Sequence, residues 1–292
     1  MGMGEAFDVS YDAIQSRLDM GKLSNGIAYG IIKKGNRGKT VRVAFSTRNG
    51  DLESLSNKGV LPSFTARMLN KGTLSKTRQQ IEDELSRLKS SISFRASNGN
   101  VYANVVSTEE NLMSTMALMT EMLKTPSFEA AELEKLKTES LAYLESNKTE
   151  PQFLASKRLS VINNSFPKEH PLYSMSIEEE EAAIKSTKIE DIKKFHKDFY
   201  GLGMSILVSI GDMQPMQLKT YMEKEFANYK SKNSYERLKD PFKDSKVVNE
   251  DILTPDKKNA MSLGNLNIKI SQDDGDYAAL NMAATILGGG FL

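Results

Sequence analysis

Two hydrophobic periods alternate along this chain. "IAYGIIKK" (27–34) and "VRVAFSTR" (41–48) are rich in β-branched and apolar residues and flank the turn-type stretch "GNRGK". "ISFRASN" (92–98) and "VYANVVS" (101–107) alternate around Gly99 as the arms of a hairpin do, and "GMSILVSIGD" (203–212) reads as an apolar strand. Between them the period lengthens to that of a helix. Leu61, Phe64, Met68 and Leu69 line one face of "GVLPSFTARMLNKGT" (59–73), which Gly72 ends. Further helices are predicted over 10–20, 75–90, 108–125 (Thr108 as cap), 127–148, 151–166, 189–200 and 214–229. The acidic run 178–183 behind Ser176 reads as a capped, solvated helix start.

The pattern lapses over 230–258, which carries prolines and charges with little periodicity, as a linker does. A strand (260–270), a helix (274–287) and "GGGFL" follow. The expected organisation is a lead-in (1–22), a first domain (23–230), a linker (231–258) and the start of a second, similar domain (259–292) that looks cut short. Its unfinished sheet predicts association through unpaired edges. The fold class is α+β: a mixed, largely antiparallel sheet with helices packed on one face.

Composition narrows the function. With 39 basic and 38 acidic residues the net charge is +1, which gives no reason to expect nucleic acid or an anionic membrane as partner. No apolar stretch approaches a membrane span, and the first residues lack the pattern of a signal peptide. There is no cysteine, so thiolate zinc sites and disulfides are excluded. The 15 methionines, scattered through helical segments, are read as core filler. His170 lies in a loop and His196 in a helix, and they share no ligand spacing. Walker, Rossmann and Gly-x-Ser-x-Gly motifs are absent. "GGG" (288–290) reads as a helix terminator or as a flexible loop that binds a peptide backbone.

The order and spacing of "LSNGIAYGII", "STRNGDLESLSNKGVLPSFTARMLNKGT", "NLMSTMALMTEMLKTPSFEAAELEKLKTESL", "FPKEHPLY", "IEDIKKFHKDFYGLGMSILVSIGDM" and "AATILGGGF" resemble half of a pitrilysin/insulinase-family zinc peptidase, the group that includes the mitochondrial processing peptidase. The resemblance covers nearly all of the chain after residue 22. It implies the LuxS/processing-peptidase metallohydrolase-like version of the α+β fold. In that family the helix before "KGT" carries His-x-x-Glu-His, in which two imidazoles bind zinc and the glutamate polarises water. Counted back from Gly72 and Thr73, these positions fall on Ser63, Ala66 and Arg67. The family's third ligand falls on Tyr143 and a supporting glutamate on Leu136. The resemblance therefore implies a degenerate, inactive half with no metal of its own. Its partner would be a homologous zinc-bearing half, fused or separate, and its ligand an extended peptide. Gly288, Gly289 and Gly290 match a glycine-rich segment that the family uses in substrate handling. Strands 41–48 and 101–107 are the candidate edges for peptide addition, and Arg67 is expected to interact with a carboxylate in the empty pocket or to pair with a neighbouring acid, the latter being preferred. The alternative is an autonomous peptide-binding or assembly module that has lost proteolysis. For a bacterial member, periplasm and cytoplasm are both left open.

Overall fold

The computed structural model describes residues 7–164, 166–244 and 246–288. The chain divides into two compact units, Met1–Ser146 with Phe166–Leu238 and Asn147–Ser165 with Lys239–Leu292.

In the first unit the helical start is shorter than its pattern predicts. Helix α1 covers only Tyr11–Arg17, and strand β1 (Leu18–Lys22) follows at once. The turn at 23–26, closed by the Gly26 amide donating to the Leu23 carbonyl (2.9 Å) with Gly26 at φ +93°, folds β1 antiparallel onto β2 (Ala28–Lys33). Residues 18–22, read as lead-in, thus belong to the sheet. β3 (Thr40–Arg48) comes next, then α2 (Leu61–Met68), α3 (Arg78–Arg87), β4 (Ser91–Ser97) and β5 (Asn100–Thr108). Helices α4 (Leu112–Lys124) and α5 (Ala130–Asn147) follow. Thr108 does not cap α4; it ends β5 opposite Thr40, and the ladder claims it first.

α6 (Pro151–Ile162) falls in the second unit; α7 (Ile177–Ser186), α8 (Ile189–Phe199), β6 (Met204–Gly211) and α9 (Pro215–Phe226) complete the first. Ser176 caps α7 reciprocally with Glu179, as expected, and Thr77 with Gln80 does the same for α3.

Among the described residues six strands form one sheet in the order β1-β2-β6-β3-β5-β4. Only the β2–β6 pair is parallel. β6, late in the chain, inserts between β2 and β3, so 27–34 and 41–48 are not partners of each other. The expected peptide-addition edges are corrected as well. β3 and β5 are both paired on two sides, and the open edges belong to β1 and β4.

Period-2 alternation decides which sheet face is covered. Val41, Val43 and Phe45 of β3, Val101, Ala103 and Val105 of β5 and Leu207 of β6 are buried on one face. Arg42, Ala44, Asn104, Val208 and Ile210 alternate with them and stay exposed. The helices supply the rest of the core, and Met68, Met116, Met119, Met122 and Met222 within it have no exposed surface. These unbranched side chains fill gaps between packed helices, the role read from their pattern.

The hairpin turn is Asn98-Gly99, at φ +48° and +76°, between the paired residues Ser97 and Asn100. A Cβ on Gly99 would lie 2.0 Å from the Asn49 carbonyl oxygen, so the position requires glycine on steric grounds as well.

The second unit holds α6 and α10 (Tyr277–Gly288), which has no buried residue. Arg158 forks onto Glu250 at 2.9 Å, and Lys257 meets Glu150 at 2.6 Å. The strand expected over 260–270 does not form, and Met261, Leu263, Leu266 and Ile268 are exposed. Alternating apolar residues make a strand only when a neighbouring backbone takes up their N–H and C=O groups. No described strand does so here.

Candidate functional site

Helix α2 and the turn after it hold the positions that the sequence singled out. Pro62 sits in its first turn, where a missing N–H costs nothing. A 3₁₀ turn, Leu69–Lys71, closes it, and Gly72 reverses the chain at φ +145°. "KGT" is then tied to α4. The Thr73 hydroxyl donates to the Glu121 carboxylate at 2.5 Å, and the Lys76 ammonium does so at 2.9 Å. Burial pushes the Glu121 carboxyl up, but hydrogen bonds from Ser75, Thr73 and Lys76 outweigh it and hold the group below its usual value. The helix is thereby fixed at its C-terminal end by a charged network and not by packing alone.

Ser63 and Arg67 occupy the exposed side of α2, one turn apart, and Ala66 has no exposed surface. The Ser63 hydroxyl donates back to the Val60 carbonyl at 2.9 Å. Arg67 reaches α5: its Nη1 donates to Ser140 Oγ at 2.8 Å, and Ser140 Oγ donates to the Leu136 carbonyl at 2.7 Å. Leu136 is 1% exposed, whereas Tyr143, on the same helix, is 59% exposed. Arg67 thus joins α2 to the α5 turn that begins at Leu136, while the Tyr143 ring is left toward solvent. Burial lowers the Arg67 pKa and the field of Glu139 raises it, and the guanidinium stays charged at any accessible pH.

The donor set decides what this face can hold. A serine hydroxyl, a methyl, a guanidinium, a leucine and a phenol include no imidazole, thiolate or carboxylate, and they do not fit a zinc ion. Among the described residues no group of three or more His, Cys, Asp or Glu side chains is placed to bind a metal. His170 stacks on Phe166 with 4.1 Å between ring centroids and accepts the Leu172 N–H at 3.0 Å. His196 is packed against Phe128 and Tyr200, and its Nε2 donates to the Leu123 carbonyl at 2.8 Å. Burial holds its pKa below the usual value. Gly288 is the last residue of α10, with nothing near its Cβ position. Gly289 and Gly290 lie outside the described residues.

Two features escape sequence reasoning. α2 packs against β4, one of the two strands with an open edge. A cavity of about 330 Å³ opens at the start of α2, lined by Leu55, Lys58, Pro62, His170, Tyr173 and Ala182. Its walls come from three separate stretches, and only the turn residues of "NKG" and "KEHPLY" hint at it.

Comparison with known proteins finds likenesses in part of the sequence and in the fold. The family model described as the peptidase M16 inactive domain matches residues 186–292, covering α8, β6, α9 and the C-terminal segment. Ser63, Ala66, Arg67, Leu136 and Tyr143 lie outside that match. Non-peptidase homolog YmxG of Helicobacter pylori is 25% identical over 251 residues, which are 86% of this chain and 56% of that protein. The crystal structure of a peptidase M16 inactive domain from Pseudomonas fluorescens superimposes with a TM-score of 0.73 at 21% identity, over 94% of this chain and 65% of that one. The first half of the periplasmic protease PqqL from Escherichia coli gives 0.60 at 16% identity, over 78% and 50%. The chain spans about half the length of the curated relative that it matches. The resemblance read from the sequence and these likenesses agree: residues 186–292 match the peptidase M16 inactive domain, and the chain shares the fold of the solved structures of that description.

Proposed function

We propose that this chain is the non-catalytic half of a zinc metallopeptidase, lending chamber wall and peptide-binding surface to a homologous zinc-bearing half. The observation that carries the reading is the pairing of α2, whose exposed face holds Ser63 and Arg67 and no zinc ligand, with the open-edged strand β4. An unpaired strand edge offers a row of N–H and C=O groups that an extended peptide satisfies as an added strand. A peptidase acting on extended chains must hold several residues of backbone while excluding water, and a half without a metal supplies that grip equally well. In this reading the first compact unit, with β1 in its sheet and without α6, is the peptidase-like domain, and the zinc ligands and the catalytic glutamate belong to the partner. The non-peptidase description of the Helicobacter relative is in keeping with it.

The test is turnover of a quenched fluorescent peptide by the zinc-bearing companion, with and without this chain. A gain of tenfold or more on addition, with no turnover by this chain alone, is the expected result. Turnover unchanged by addition would favour the autonomous peptide-binding or assembly module. Dialysis of the purified chain against zinc, followed by elemental analysis, is expected to leave far less than one zinc per chain; stoichiometric zinc would overturn both readings.

A further inference from the structure

We infer that Arg67 is a carboxylate receptor, and that the peptides this chain holds present an acidic group to it. The inference rests on the peptide-binding reading above and adds the chemistry of the bound segment. Arg67 was expected to pair with a neighbouring acid, and the structure corrects that. Among the described residues no carboxylate lies within ion-pair distance of its guanidinium. The acid whose field it feels most is Glu139, whose Oε2 is 3.9 Å from the Lys71 ammonium. Lys76, the next cation along, is 2.9 Å from Glu121, and Arg78 is 2.8 Å from Glu82 and 3.8 Å from Glu132. Lys71 and Arg78 therefore have acidic partners within the fold and Arg67 has none.

The guanidinium is nevertheless held in place. Nη1 donates to Ser140 Oγ at 2.8 Å, and that hydroxyl is anchored in turn on the Leu136 carbonyl. The Phe64 ring lies 5.5 Å from the guanidinium carbon and steadies the group further. One of five N–H donors is thus used, and the planar fork keeps the rest for a ligand. A guanidinium that is fixed by a neutral hydroxyl and reached by Glu139 only through its field has no carboxylate docked on its fork, and the complement of a planar cationic fork is a carboxylate. The helix that carries it packs on β4, so a peptide added at the β4 edge runs past the element that presents Arg67. An acidic side chain and a C-terminal carboxylate share this chemistry, and the experiment separates them.

The full chain is titrated into a panel of fluorescein-labelled extended decapeptides, each in four forms: central Glu or Gln, and free-acid or amide C-terminus. Fluorescence anisotropy reports the affinity. At least one carboxylate-bearing form is expected to bind about tenfold tighter than the Gln-amide form, in line with a charge-assisted hydrogen bond. The form that gains identifies the source of the carboxylate. Arg67→Met is expected to erase the difference while leaving Gln-amide binding unchanged, and Arg67→Lys to keep only part of it, since a point charge lacks the fork. Equal binding of all four forms, or an acid preference that survives Arg67→Met, would overturn the assignment and leave the peptide-binding reading standing. Absence of binding by every peptide would overturn both.

Discussion

Asn49, 1% exposed, shows how one side chain closes the sheet's end. Its amide donates to the Phe199 carbonyl at 2.9 Å and to the Gly201 carbonyl at 3.0 Å, joining the end of β3 to the turn that leads into β6. Thr47 Oγ1 donates to the same Gly201 carbonyl at 2.7 Å. Asn49→Ala takes this donor from the Phe199 carbonyl and leaves Gly201 only the Thr47 hydroxyl, and a loss of about 2 kcal/mol is expected in urea unfolding. His196 gives a second prediction at this scale. Its folded pKa is lowered, chiefly by burial, from the ordinary value of 6.5. The unfolded chain then binds the proton more readily, so the stability that the neutral imidazole contributes is complete above about pH 6.5 and is lost as pH falls toward the folded pKa. Melting temperature is expected to drop on acidification from pH 7 to pH 5, and His196→Gln to flatten that slope. Glu179 titrates separately. Hydrogen bonds from Lys168, the Ser176 backbone and Tyr173 hold its carboxyl down to about 2, so its own dependence begins only below the ordinary carboxylate value of 4.5.

Helix ends and turns carry the predictions at the scale of elements. Thr77 accepts the Gln80 N–H, and Gln80 answers on the Thr77 amide at 2.8 Å. Thr77→Ala removes one side of this box and should cost about 1 kcal/mol. Gly99→Ala must cost more, because the added carbon meets the Asn49 carbonyl oxygen at 2.0 Å while φ is +76°. A loss exceeding that of Thr77→Ala, read from the same denaturant midpoints, is the expected order. These caps and turns were legible because their residues act on their own neighbours: Ser176 before an acidic run, Asn-Gly between alternating arms. Thr108 misleads for the same reason. Its local pattern fits a helix cap, and only the distant partner Thr40 claims it for the ladder.

For the molecule as a whole, protection should follow the ladder. Amides of β3, β5 and β6, each flanked by a strand on both sides, are expected to exchange slowest in native-state hydrogen exchange. Those of 260–270, exposed and outside any strand, are expected to exchange orders of magnitude faster. Equal protection of the two would contradict the unpaired state of that segment. No described helix is long and apolar enough to cross a membrane.

The sequence by itself determined the periods, and through them the helices, most of the strands, the hairpin turn and the α+β class. These follow from short-range rules of side-chain spacing, capping and turn chemistry. It also placed Ser63, Ala66 and Arg67 on one short helix, but the fold buries Ala66 and leaves only Ser63 and Arg67 exposed. Only the tertiary structure decided which strands become edges, because strand order depends on β6 arriving from some 150 residues downstream to pair with β2 and β3. It alone decided that Leu18–Lys22 is a strand and that 260–270 is not, since each outcome turns on whether another backbone stands alongside. The partnerless charge of Arg67 was decided there too. The chain carries no acid between Glu53 and Glu82, so any acid near Arg67 comes from a distant segment, and the fold sets Glu139 near Lys71 and leaves Ser140 to meet the guanidinium.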